Sequence, residues 1–105
     1  MIARIWKGRT LHGMGKAYYG YLEETGLKDY KNTEGFKDVL VLTREIGEET
    51  EYLLITLWES MDAVRNFAGV EPERAVYYPE DDQYFPESER TAFVRHYEVR
   101  ASSRQ

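Results

Sequence analysis

Two runs of β-branched and apolar residues meet across a short polar break, and this constrains the fold more than any other feature of the chain. Phe36–Ile46 carries Val39-Leu40-Val41-Leu42 at its centre, and residues 52–58 read Tyr-Leu-Leu-Ile-Thr-Leu-Trp. Gly47, Glu48 and Glu49 supply the break, so the pair reads as an antiparallel hairpin. Side chains alternate between the faces of a strand, and here both phases are apolar. Leu53, Ile55 and Leu57 share one face, while Tyr52, Leu54 and Trp58 share the other with Thr56. Leu40 and Leu42 likewise oppose Val39 and Val41. A sheet with two apolar faces requires two covers.

The rest of the chain supplies one of them. Residues 1–7 read as a strand through Ile2, Ile5 and Trp6, followed by a loop over 8–15. Met14, Ala17, Tyr18, Tyr21 and Leu22 then recur at the helical period, with Gly26 expected as the left-handed residue that ends the helix. Ser60 is a natural N-cap for a second helix, with Asp62 in its first turn and Ala63, Val64, Phe67 and Ala68 on its apolar face. Gly69 closes it. Pro72 suits the first turn of a short helix through Val76, Pro79 stops it, and residues 91–99 read as the last strand. The order β-α-β-β-α-β predicts an α+β, ferredoxin-like antiparallel sheet with helices on one face, as one domain over residues 1–100 with a frayed tail at 101–105. Two helices cover one face only. The other is expected to meet a second copy, making a homodimer.

Composition narrows the function. The 105 residues include 14 Lys+Arg against 19 Asp+Glu, a formal charge of −5, which argues against a nucleic-acid partner because such binders neutralise phosphates with a basic surface. The chain has no cysteine, which removes disulfides, thiolate nucleophiles and thiolate metal sites. No apolar run approaches the roughly 20 residues that span a bilayer, so no membrane partner is expected. Arg4 and Lys7 interrupt the N-terminal apolar stretch, unlike a signal peptide, and the expected location is the cytoplasm.

Gly13-Met14-Gly15-Lys16 invites comparison with a phosphate loop, but Thr10 and Ala17 stand where that motif needs a glycine and a hydroxyl residue. His12 and His96 lack metal-ligand spacing, and Glu80-Asp81-Asp82 lacks the alternation of a calcium loop and reads as a solvated acidic loop. No metal and no cofactor is expected. His96, in the last strand, is either a hydrogen-bonded structural histidine or a proton acceptor beside a pocket. The aromatic set of Trp6, Trp58, Phe67, Tyr77, Tyr78, Tyr84, Phe85 and Tyr97 serves either core and dimer seam or a pocket for a flat ligand. Trp58, at the corner leading into Glu59-Ser60, is expected to pack between sheet and helix.

Trp58-Glu59-Ser60-Met61-Asp62-Ala63 running into Arg65-Asn66-Phe67, the stretch Ala75-Val76-Tyr77-Tyr78-Pro79-Glu80-Asp81, and the closing Arg95-His96-Tyr97-Glu98-Val99 resemble the antibiotic biosynthesis monooxygenase superfamily. The resemblance implies a dimeric α+β barrel whose sheets face each other, with a hydrophobic cavity between sheet and helices in each subunit. It implies cofactor-independent oxygenation of a small quinol- or phenol-like aromatic, with His96, Tyr77 and Asn66 as candidate catalytic residues. Trp6, Trp58, Phe67 and Tyr78 are the candidate substrate-binding residues. Haem-degrading relatives carry an Asn on the first strand, a Trp late in the second helix and a His after it. This chain has Arg4 and Trp6 but no Asn on that strand, Phe67 in place of the Trp and Tyr77 near the His position, which points away from haem degradation. The alternative is a non-catalytic ligand-binding or structural dimer of the same fold.

Overall fold

The hairpin forms where its sequence places it. Strand β2 (Phe36–Ile46) pairs antiparallel with β3 (Glu49–Trp58), from Phe36 opposite Trp58 to Ile46 opposite Glu49, with Gly47 at φ 62° in the turn. A register shift between Phe36 and Asp38 lets both Phe36 and Val39 pack inward despite their odd spacing. These features come from a computed structural model that describes residues 1–90 and 93–103.

Strand β1 (Ile2–Arg9) lies beside β3, and β4 (Arg95–Glu98) beside β1, giving the order β2-β3-β1-β4 with every neighbour antiparallel. Helices α1 (Gly15–Glu24), α2 (Gly26–Lys31) and α3 (Met61–Ala68) pack on one face of the sheet. A 3-10 turn (Asp81–Gln83) and the short α4 (Glu87–Arg90) precede β4. This is the α+β, ferredoxin-like arrangement expected from the element order.

Helix α3 behaves as its sequence dictates. The Ser60 hydroxyl accepts from the Ala63 N–H at 3.2 Å, and Gly69 ends the helix at φ 85°. Three expectations need correction. Gly26 does not end the first helix but begins α2. The break lies at Thr25, whose hydroxyl donates to Tyr21 O, and a Cβ on Gly26 would meet Leu22 Cδ1 at 3.1 Å. No helix follows Pro72, because the carbonyls of Pro72 and Arg74 point inward to a buried side chain and Arg74 bridges to Phe93. Asp81 is not solvated: it is 7% exposed, and its carboxylate accepts the Tyr78 N–H at 2.8 Å. The last strand is regular only from Arg95, and residues 91 and 92 of the expected strand lie outside the described residues.

Two aromatic cores fill the space between sheet and helices. Trp58 is wholly enclosed among Ile2, Tyr30, Ala63 and Val64, with the rings of Tyr30, Phe36 and Phe67 at 6.2, 5.4 and 5.7 Å. That is the corner packing its sequence position predicts. Tyr18, Leu22, Tyr52, Leu54 and Phe85 form the second core. On the opposite sheet face, Leu40, Leu42 and Tyr97 are exposed, and Leu53, Ile55 and Leu57 stay half-buried with no helix over them among the described residues. No helix is long and apolar enough to cross a membrane.

Candidate active site

Alternation along β1 sends Ile2, Arg4 and Trp6 toward the helices. Arg4 is therefore carried into the interior, where it is 4% exposed. Its register partners are Thr56 on β3 and His96 on β4. One guanidinium nitrogen, Nη1, donates to Pro72 O and to His96 Nε2, the latter at 3.0 Å; Nη2 donates to Arg74 O at 3.1 Å. The Phe67 ring lies 5.8 Å from the guanidinium carbon, within cation–π range. Among the described residues no carboxylate lies within 4 Å of this cation.

An arginine has no acceptor, so the Arg4–His96 contact fixes the histidine. His96 Nε2 must carry the lone pair, and its proton resides on Nδ1. Burial, with Arg4 beside it, holds the His96 pKa below its ordinary value and keeps the ring neutral. Burial also lowers the Arg4 pKa and raises that of Tyr30 to about 12, against the opposing pull of Arg4.

Arg4 forms part of the wall of a small cavity between the two aromatic cores, about 30 Å³ in volume. Trp6 and Leu54 supply the sheet side, Tyr18 and Leu22 come from α1, Gly26 and Tyr30 from α2, and Phe67 from α3. Val76, Tyr78 and Asp81 close it from the connection between α3 and β4. That connection is tied down at several points. Tyr78 Oη donates to Asp29 Oδ2 at 2.7 Å, Glu80 N–H donates to Tyr21 Oη at 2.9 Å, and Arg4 holds two of its carbonyls.

Of the candidate residues, Trp6, Phe67 and Tyr78 come together on this cavity wall. Trp58 stands behind it, fully enclosed, with its indole N–H donating to Thr56 Oγ1 at 2.8 Å. His96 is half-buried behind Arg4 rather than on the wall. Asn66 lies outside, exposed, with its amide reaching Glu34 O at 3.4 Å. Tyr77 is also outside, its hydroxyl 3.5 Å from Glu89 O. Sequence reasoning missed Arg4, Tyr30 and Asp81. A signal for Arg4 was available: it is in phase with Ile2 and Trp6, so a strand that buries those two buries the charge between them.

A wider groove of about 720 Å³ opens at the far end of the sheet, between Arg9, Thr10, Leu11, His12 and Glu49 on one side and Pro86, Ser88 and Glu89 on the other. Its polar side chains are mutually engaged on the surface, Arg9 with Glu49 and His12 Nε2 with Glu49 at 3.0 Å. Among the described residues no cluster of three or more His, Asp or Glu is placed to hold a metal ion.

No family model and no curated protein matches this sequence. Among solved structures, the chain is similar to a Bacillus cereus protein assigned, by its name, as an antibiotic biosynthesis monooxygenase. The TM-score is 0.52 at 19% identity, over 100% of this chain and 96% of that one. The likeness is one of fold.

Proposed function

We propose that the protein is a monooxygenase-like homodimer that takes a small aromatic hydroxyl compound into the cavity beside Arg4 and oxygenates it without a cofactor. The observation that carries this reading is the meeting of an aromatic wall with a buried Arg4 bonded to a half-buried His96, in a fold shared with a protein named as an antibiotic biosynthesis monooxygenase. Cofactor-free oxygenation needs an electron-rich ring, a base and a desolvated site. Neutral His96 is the proton acceptor in this reading. Its Nε2 is freed when Arg4 turns from it toward the substrate oxygen. The resulting ring anion passes an electron to dioxygen. For a ring methylene such as that of an anthrone, CH2 plus O2 gives C=O plus H2O, so the substrate supplies all the electrons.

The second copy covers the apolar sheet face opposite the helices. Leu40, Leu42, Leu53, Ile55, Leu57 and Tyr97 share it, and two such faces stack about 10 Å apart. Neither helix layer nor cavity is blocked by that pairing.

One observation favours the rival reading of a non-catalytic dimer. An apolar cavity known to admit benzene measures about 150 Å³, far above the 30 Å³ found here. Substrate entry therefore requires the cavity to widen. Oxygen uptake across a panel of quinols and anthrones tests the proposal. Uptake that falls at least about tenfold in His96→Gln supports catalysis with His96 as base. No uptake with any ring by the wild-type protein leaves the binding dimer as the account.

A further inference from the structure

Among the described residues, no carboxylate lies within 4 Å of one guanidinium held in the interior, that of Arg4. Arg4 is almost wholly buried, yet its partners are two backbone carbonyls, a neutral imidazole and the face of an aromatic ring. Burying a cation this way is costly, since carbonyl dipoles and a ring compensate less than a carboxylate does. The guanidinium forms part of the cavity wall, so the cavity has a fixed electropositive end.

Resting on the aromatic-site reading above, we infer that Arg4 is an oxyanion receptor and that the cavity selects aromatic hydroxyl compounds as their anions. Of its contacts, the one to His96 is the one able to exchange: the carbonyls of Pro72 and Arg74 belong to the backbone that closes the site, whereas His96 is a single neutral ring. When a phenol enters, Nη1 exchanges His96 Nε2 for the substrate oxygen. The released lone pair takes the phenolic proton, so that ArOH and neutral His96 become ArO⁻ beside Arg4 and protonated His96. The O–H bond breaks, the N–H bond forms, and no electron moves. Total charge is unchanged, and the new anion lies against Arg4.

Other groups face this end of the cavity and bear on its pH response. Tyr30 on α2 and Tyr18 on α1 stay protonated through burial, as does Tyr78 on the closing segment. Glu73 acts on Arg4 from a distance, and Asp81, also on the wall, has one carboxylate oxygen on the Tyr78 N–H. The two carboxylates oppose an entering anion. The sign of the effect on a bound ligand therefore reports whether Arg4 dominates.

4-Nitrophenol is the probe, because phenol and phenolate forms absorb at different wavelengths. Bound to the wild-type protein, it is expected to ionise at least about one pH unit lower than when free, the size of effect an opposite charge within a few ångströms produces. 4-Nitroanisole, the same ring with no ionisable proton, is expected to bind at least tenfold more weakly above the pKa of free nitrophenol. Arg4→Lys should keep most of the shift and Arg4→Gln should abolish it, with circular dichroism confirming that each variant folds. The wild-type titration decides the matter without any variant. If nitrophenol and nitroanisole bind equally and the bound phenol ionises at or above its free value, the oxyanion inference is overturned while the aromatic site stands. If neither ring binds, the aromatic-site reading is overturned and this inference with it.

Discussion

Trp58→Ala removes the largest side chain in the core. The indole is 0% exposed, three rings pack around it within 6.2 Å, and its N–H is satisfied by Thr56 Oγ1. Truncating a buried aromatic to Ala costs about 3–5 kcal/mol, from lost transfer energy and from the cavity left behind. A domain of this size has about 5–15 kcal/mol in total, so about a fifth or more of its stability should go. Urea denaturation reads the loss directly: with a slope of about 1–3 kcal/mol per molar, the midpoint should fall by at least about 1 M. Protein concentration must be held fixed, because dimerisation adds to apparent stability by mass action. Trp58→Phe is the control. It keeps a ring in the site but leaves Thr56 Oγ1 without its donor, and about 1–3 kcal/mol is the expected cost. A Trp58→Ala midpoint matching wild type, with binding of an aromatic ligand lost, would show that the indole serves the ligand and that its packing role is misassigned.

Gly15→Ala should lose about 1–3 kcal/mol in the same assay, because its Cβ would fall 2.1 Å from Thr50 Oγ1 and 2.8 Å from Thr50 Cβ, a stiff buried side chain; an unchanged midpoint would return the Gly13-Met14-Gly15-Lys16 stretch to the status of a free loop. The pKa of His96 is held below its ordinary 6.5, so the folded state binds fewer protons than the unfolded one in the interval beneath that value. The stability this contributes is complete above 6.5 and drains away as pH falls through the native pKa, so wild type should lose more stability than His96→Gln between about pH 7 and about pH 5. Parallel losses would contradict the neutral, Arg4-bound imidazole. Sedimentation should give twice 12.4 kDa for wild type and 12.4 kDa for Ile55→Glu, which puts a charge opposite Ile5 and Leu40 on the open sheet face; a wild-type monomer at micromolar concentration would sink the dimer.

Local rules governed what the sequence revealed. Period-two alternation with Gly47 at the turn was enough to place β2 and β3, and Ser60 and Gly69 were enough to bound α3, because those signals depend on neighbours in the chain. The misread elements answer to distant partners. Gly26 looks like a helix end, yet it opens α2, and a Cβ there would press on Leu22 at 3.1 Å. Pro72 looks like a helix start, yet its carbonyl is committed to Arg4, 68 positions away. Asp81 sits in an acidic run that reads as solvated, but one of its carboxylate oxygens is needed by a backbone N–H in the segment that closes the cavity. The candidate site was half legible for the same reason. Trp6, Phe67 and Tyr78 announce themselves as aromatic, whereas a lone arginine on a strand looks like surface until its phase with Ile2 and Trp6 is counted.

In the proposed function an aromatic ring enters between sheet and helices beside Arg4. The chain has two tryptophans, one on the cavity wall and one sealed behind it, so two indole N–H signals in a nitrogen-correlated proton spectrum report on that entry. Titration with an anaerobic quinol such as 1,4-dihydroxynaphthalene should shift the Trp6 signal strongly, with the Trp58 signal moving far less and the backbone amides of Tyr30, Leu54 and Val76 following Trp6. If both indoles hold still at saturation, or if the amides of Thr10, His12 and Glu89 at the open groove move instead, the ring binds elsewhere and the proposed site is wrong.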